Sequence, residues 1–135
     1  MVQRKTKDTP SDREMQVMSV VWKLRQPTVA EVQQELNELW EPEVAYNTVL
    51  THLRSLRAKG WLTTVDEGRA HRYLPAVSRS YARFLALTDL KDVLFEGSTE
   101  QLLTELVSDR KLTPATLQRL RLLLDERLKL KGKRP

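Results

Sequence analysis

Cysteine is absent from the 135-residue chain, which excludes disulfides, thiolate nucleophiles and thiolate-held metals and suits a reducing compartment. Histidine is nearly as scarce. His52 and His71 lie far apart, neither has a partner at ligand spacing, and packing or a single hydrogen bond is the role expected of each. The four glycines form no G-x-G-x-x-G fingerprint, phosphate loop or nucleophile elbow. Carboxylates are plentiful but accompany no base or nucleophile motif, so neither an enzyme nor a cofactor is expected. No apolar run approaches the roughly 20 residues that span a bilayer, and Arg4, Lys5 and Lys7 precede no signal-peptide core. A cytoplasmic protein with no stable membrane association is the expectation.

What is present describes a folded domain with a heavily charged surface: 40% hydrophobic and 30% charged residues. The formal net charge of +5 favours an anionic partner, although net charge speaks to association rather than to fold. Its distribution says more. Residues 31–43 carry Glu31, Glu35, Glu38, Glu41 and Glu43, whereas 44–77 hold Arg54, Arg57, Lys59, Arg69 and Arg72 against Asp66 and Glu67.

Three stretches match the S/T-x-x-E/Q capping box, beginning at Ser11, Thr28 and Ser98. The first opens a helix with Met15, Met18, Val21, Trp22 and Arg25 at helical spacing, closed before Pro27. The second opens a short helix with Val29, Val32, Leu36 and Leu39 on one side, stopped near Pro42. A third helix over 45–59 places Tyr46, Val49, Leu53 and Leu56 inward and ends at Gly60. Trp61 to Val65, a turn over 66–69 and Ala70 to Leu74 read as a hairpin. Helices follow over 78–95, 98–107 and 113–130. In the last, Leu117, Leu120, Leu124 and Leu128 form a stripe that Leu123 and Leu130 widen, too apolar to stand without a partner surface. The fold class expected is α+β, mostly α: a winged helix-turn-helix domain over 11–77, a three-helix dimerisation region over 78–130, and disordered tails at 1–10 and 131–135.

The outward face of the third helix gathers Asn47, Thr48, Thr51, Arg54, Ser55 and Ala58. Small residues permit close approach, hydroxyls and amides reach phosphates or base edges, and arginine presents paired donors to guanine, as a helix entering a major groove requires. An ordinary solvated face is the bland reading for such a helix in isolation; two helices before it and a hairpin after it favour DNA. Arg69, at the hairpin tip with Arg72 nearby, suits backbone phosphates or a narrow minor groove, unless Asp66 and Glu67 neutralise it. Arg57 and Lys59 suit either phosphate contact or the negative end of the helix dipole.

The stretch Glu14 to Pro75 resembles the penicillinase-repressor family (BlaI and MecI, related to the copper-responsive CopY repressors). The matching pieces are E-x-x-V-M-x-x-x-W at Glu14 to Trp22, T-V-x-E-V at Thr28 to Val32, N-T-V-x-T at Asn47 to Thr51, L-x-x-K-G at Leu56 to Gly60 and G-R-x-x-x-Y-x-P at Gly68 to Pro75. The helical remainder, with L-x-x-L-V at Leu103 to Val107, is similar in arrangement. The resemblance implies a homodimeric repressor bound to dyad-symmetric, double-stranded operator DNA. The contacts expected are Thr28, Tyr46, Asn47, Thr48, Thr51, Arg54, Arg57, Lys59, Arg69 and Arg72, with dimerisation through Leu102, Leu103, Leu106, Leu117, Leu120, Leu124 and Leu128. It also implies inactivation by a membrane metalloprotease sensor, at a bond that aligns near Glu105-Leu106 rather than at an Asn-Phe pair. Val44 stands where many relatives have tryptophan, His52 at an aliphatic position and Ser55 at a frequent arginine, so base preference is expected to differ. The cysteine motif of the copper-responsive relatives is missing. A winged-helix module that docks a protein instead of DNA is the rival from another class.

Overall fold

The computed structural model describes residues 9–132. Eight elements follow one another: α1 (Asp12–Leu24), α2 (Val29–Leu39), α3 (Tyr46–Ala58), β1 (Leu62–Glu67), β2 (Ala70–Pro75), α4 (Arg79–Leu94), α5 (Thr99–Val107) and α6 (Pro114–Gly132). The chain divides into two compact units, Met1–Asp89 and Leu90–Pro135, the division falling inside α4. The expected disordered tails lie mostly outside the described residues. Of their edges, Pro10 is buried and α6 runs on to Gly132.

Local chemistry sets the starts of the first two helices. Ser11 and Thr28 each accept from the backbone N–H three residues on, while Glu14 and Glu31 return the bond to the cap's own N–H. Each pair satisfies two donors that a helix start otherwise leaves bare. At Ser98 only half of the box forms. The hydroxyl accepts from Gln101 N–H at 3.0 Å, but the Ser98 N–H is already taken by the Phe95 carbonyl at 2.7 Å, which leaves Gln101 no donor to reciprocate. Helix α3 ends in a Schellman motif. The Trp61 N–H reaches the Leu56 carbonyl at 2.9 Å, the Gly60 N–H reaches Arg57 at 3.0 Å, and Gly60 takes the φ of 83° that the motif demands.

The core of the first unit forms where three helical stripes and the hairpin converge. Val17, Met18 and Val21 of α1, Val32 and Leu36 of α2, and Val49, Leu53 and Leu56 of α3 are all buried, closed over by Trp61, Leu62 and Tyr73. Ala82 of α4 joins them, and the Trp22 Nε1–H donates to the Val77 carbonyl at 2.9 Å. Two stripe positions depart from expectation. Leu39, the last residue of α2, is 68% exposed, and Tyr46, the first of α3, is 47% exposed. Both stripes run one residue past the core, since helical periodicity marks a face but not how far along the axis that face stays covered.

The hairpin is tighter than expected. Strands β1 and β2 pair antiparallel from Leu62↔Pro75 to Glu67↔Ala70, so Asp66 and Glu67 belong to β1 and the loop is Gly68-Arg69 alone. A two-residue loop needs φ > 0 at its first position, and Gly68 supplies φ 60°. The base of β2 is tied to the helices by a bridge between Thr28 and Arg72 and by the Tyr73 N–H donating to the Pro27 carbonyl at 2.9 Å.

The second unit contrasts with the first. Its helices start well: Ser98 caps α5, and Pro114 occupies the first helical position of α6, where its missing N–H costs nothing. Yet Leu102 is the one buried residue of α5, and no residue of α6 is buried among those described. Leu117, Leu120, Leu124 and Leu128 are 40%, 36%, 60% and 69% exposed, and Leu103 and Leu106 47% and 53%.

Candidate nucleic-acid interface

Helix α3 turns its buried residues to the core and leaves Asn47, Thr48, Thr51 and Arg54 exposed together. The Thr51 hydroxyl donates to the Asn47 carbonyl at 2.9 Å, which leaves its oxygen with both lone pairs to accept a further bond. No side chain caps the start of the helix, where Ala45 stands, and its first turn contains no acid. The positive end of the helix dipole is thus open to an outside anion. Tyr46 lies exposed at that same end. Arg54 and Arg57 form the border toward the hairpin. Burial raises the Tyr73 pKa, while the positive charges of Arg54 and Arg57 pull against it, so both guanidinium groups lie near that phenol.

Arg69 occupies the second position of the Gly68-Arg69 loop. The acids expected to neutralise it are engaged elsewhere, Asp66 with His71 Nδ1 and Glu67 with Arg72 Nε at 3.2 Å. Among the described residues Arg69 makes no ion pair. His71 also meets the Tyr73 ring edge-on at 5.7 Å, and His52 is half-buried on α3. Among the described residues no group of His, Asp or Glu is arranged to hold a metal, and no helix is long and apolar enough to cross a membrane.

Three of the expected contacts, Arg72, Thr28 and Lys59, turn out to be engaged within the fold. The Arg72 guanidinium donates to the Gln26 carbonyl at 2.8 Å and lies 3.3 Å from Glu31 and 3.2 Å from Glu67. It braces the hairpin against the start of α2 rather than projecting from it. The Thr28 hydroxyl is occupied as the cap of α2. Lys59, at the C-cap of α3, donates to Glu14 Oε1 at 2.5 Å and to the Thr9 carbonyl at 3.3 Å. Ser55, placed outward by its helical angle, is half-buried, and its hydroxyl helps to lower the Glu14 pKa.

Glu14, the third-position acid of the first capping box, does more than cap. It is 6% exposed. Burial works to raise its pKa, but the Lys59 ammonium, the Ser55 hydroxyl and the Ser11 N–H outweigh burial and hold it at about 2. No local signal pairs Glu14 with Lys59, 45 positions away. The acids of α2 are also partly spoken for, Glu31 by Thr28 and Arg72 and Glu35 by Lys23. That weakens the case for a protein-docking face built on them.

The leucines expected to carry dimerisation divide. Leu102 is buried, whereas Leu103, Leu106, Leu117, Leu120, Leu124 and Leu128 stay exposed. Glu105 and Leu106 fall in the last turn of α5, both exposed.

A family model described as penicillinase repressor matches residues 10–126. Among solved structures, the chain is similar to the DNA-binding domain of the repressor BlaI, with 34% identity over 56% of this chain and 90% of that one and a TM-score of 0.48. It is also similar to Bacillus licheniformis BlaI, in its monomeric form in complex with the blaP half-operator, with 32% identity over 59% of this chain and 92% of that one and a TM-score of 0.46. A complex structure of hsRosR matches at 16% identity over 89% of this chain and 93% of that one, with a TM-score of 0.51. No curated protein sequence matches. With a winged helix, an open polar helix face and a family match across most of its length, the chain belongs to the penicillinase repressor family, whose members are DNA-binding repressors and not enzymes.

Proposed function

We propose that the chain works in the cytoplasm as a homodimeric repressor, with two copies placing their α3 helices in major-groove segments of a dyad-symmetric operator. The observation that carries this reading is α3 itself, dry on one side at Val49, Leu53 and Leu56 and open on the other at Asn47, Thr48, Thr51 and Arg54. Those four reach base edges and nearby phosphates, while Tyr46, Arg57 and the loop residue Arg69 hold the backbone. The BlaI complex with a half-operator supports double-stranded DNA as the partner. Dimerisation is supported by the exposed leucines of α5 and α6, Leu102 excepted, whose exposure of 36–69% would be costly for a lone chain in water. Two weak half-sites linked in this way reinforce each other, since the second binds at high effective concentration.

Relief of repression by a membrane metalloprotease sensor fits the position of Glu105-Leu106. Cleavage in the last turn of α5 separates α6 from everything before it, and removes most of the exposed leucines from the DNA-binding part of the chain. Selecting bound duplexes from a random pool, with sedimentation of the same protein, tests the reading. The expected result is a palindromic consensus with half-sites spaced by about one helical turn or a multiple of it, bound by a dimer. Single chains throughout, or a pool from which no sequence is enriched, would overturn it.

A further inference from the structure

Glu14 lies at the start of α1 and is 6% exposed, yet its charge is fully engaged. Its Oε1 accepts from the Ser11 N–H at 2.9 Å and from Lys59 Nζ at 2.5 Å. Lys59 is the C-cap of α3, so the buried carboxylate grips that helix at its C-terminal end. By helical angle the row Thr48, Thr51, Ser55, Lys59 borders the outward face on the side toward α1. Val49, Leu53 and Leu56 hold α3 from below. Apolar contact is non-directional, and by itself it leaves rotation about the helix axis weakly specified. Charged hydrogen bonds to a fixed oxygen are directional.

We infer that Glu14 is a positioning residue for the recognition helix: through Lys59 it sets the rotation of α3 about its axis, and so which base edges Asn47, Thr48 and Thr51 meet. The inference rests on the DNA-binding reading and goes beyond it, because Glu14 contacts no nucleotide and Lys59 acts as a staple instead of a phosphate ligand. Buried ion pairs are weak sources of net stability, and fixing one geometry among near-equivalent ones is their better-attested use.

The test uses the full chain and three variants, Glu14→Gln, Lys59→Met and the double variant. Glutamine at position 14 keeps the capping bond to Ser11, because S-x-x-Q also forms a capping box; it removes only the ion pair. The double variant leaves no buried charge unpaired and is the safeguard should a single variant fail to fold. Anisotropy titrations compare a selected operator with a random duplex of equal length at several salt concentrations.

Each variant is expected to lower the operator-over-random affinity ratio by about tenfold, the scale of one misread base pair. Random-duplex affinity and salt slope should stay at their wild-type values, and the double variant should lose no more than either single one. A lower melting temperature with an unchanged affinity ratio would show a merely structural ion pair and overturn the inference. So would a Lys59→Met protein that loses affinity for both duplexes alike with a flatter salt slope, the signature of a phosphate contact. A wild-type chain with no preference among duplexes would overturn the DNA-binding reading, and the inference with it.

Discussion

The two units use the same material, amphipathic helices with leucine and valine stripes, and reach opposite ends. In the first, Met18, Leu36, Leu53 and Leu56 disappear from water; in the second, Leu122, Leu123, Leu124 and Leu128 remain 54–69% exposed. The difference is one of geometry. Three short helices and a hairpin meet around one volume, so each stripe finds the others. A 9-residue and a 19-residue helix cannot enclose a core between them, and α6 distributes leucine around too much of its circumference for one neighbour to cover. The closed unit holds a surface in place, and the open one leaves apolar surface that the proposed dimer would cover.

The contrast breaks most easily by cutting the chain. Ending it after Asp89 should leave the first unit folded but lower operator affinity by on the order of 10²–10⁴-fold, the usual range of linked half-sites. A fragment that binds in anisotropy titrations as the full chain does would mean that the exposed leucines contribute nothing to DNA binding. Single core changes come next. Leu53→Ala should cost about 2–5 kcal/mol in urea unfolding, independent of protein concentration. Leu128→Ala should act through assembly, with a loss that grows on dilution. If both showed the same concentration dependence, the distinction between a closed and an open unit would fail.

Acid gives a third probe, confined to the first unit. The Glu14 carboxyl is held at about 2 against an ordinary 4.5, so the folded state binds its proton less readily than the unfolded one. The advantage of the charged over the protonated carboxyl is fully present above pH 4.5 or so and is lost as pH falls toward 2. Urea midpoints between pH 5 and 2 should decline in the wild type and decline less in Glu14→Gln; identical slopes would remove the assignment.

The smallest effects sharpen the picture of the binding face. Asn47→Ala or Thr51→Ala should cost about 1–3 kcal/mol of discrimination between operator and random duplex. Arg69→Ala should weaken both duplexes together and reduce the salt slope by about one unit. Arg72→Ala should leave that slope in place, because its guanidinium is bound to Gln26, Glu31 and Glu67. A flatter slope for Arg72→Ala would return it to the set of phosphate contacts.

Much of this was legible from the residues alone, where the cause is local. Ser11 and Thr28 start helices because an oxygen and an amide three positions apart must meet. Gly60 and Gly68 end a helix and turn a hairpin because their φ values are closed to most other residues. What misled was extent and commitment. Leu39 and Tyr46 have the right phase but lie past the end of the core, and Lys59 and Arg72 have the right charge for DNA but are drawn into contacts with Glu14, Gln26, Glu31 and Glu67. The one-sided cap at Ser98 belongs here too, since Phe95 had already claimed the N–H that Gln101 would have served.

The sequence by itself determined the order of helices and strands, the faces that seek burial and the polar face of α3, because these follow from periods and pairings within a few residues. Only the tertiary structure decided which cations are spent and which remain open. Whether Lys59 meets a phosphate or Glu14 depends on two helices brought together across 45 positions of chain, and a side chain's charge does not reveal what the fold will set beside it.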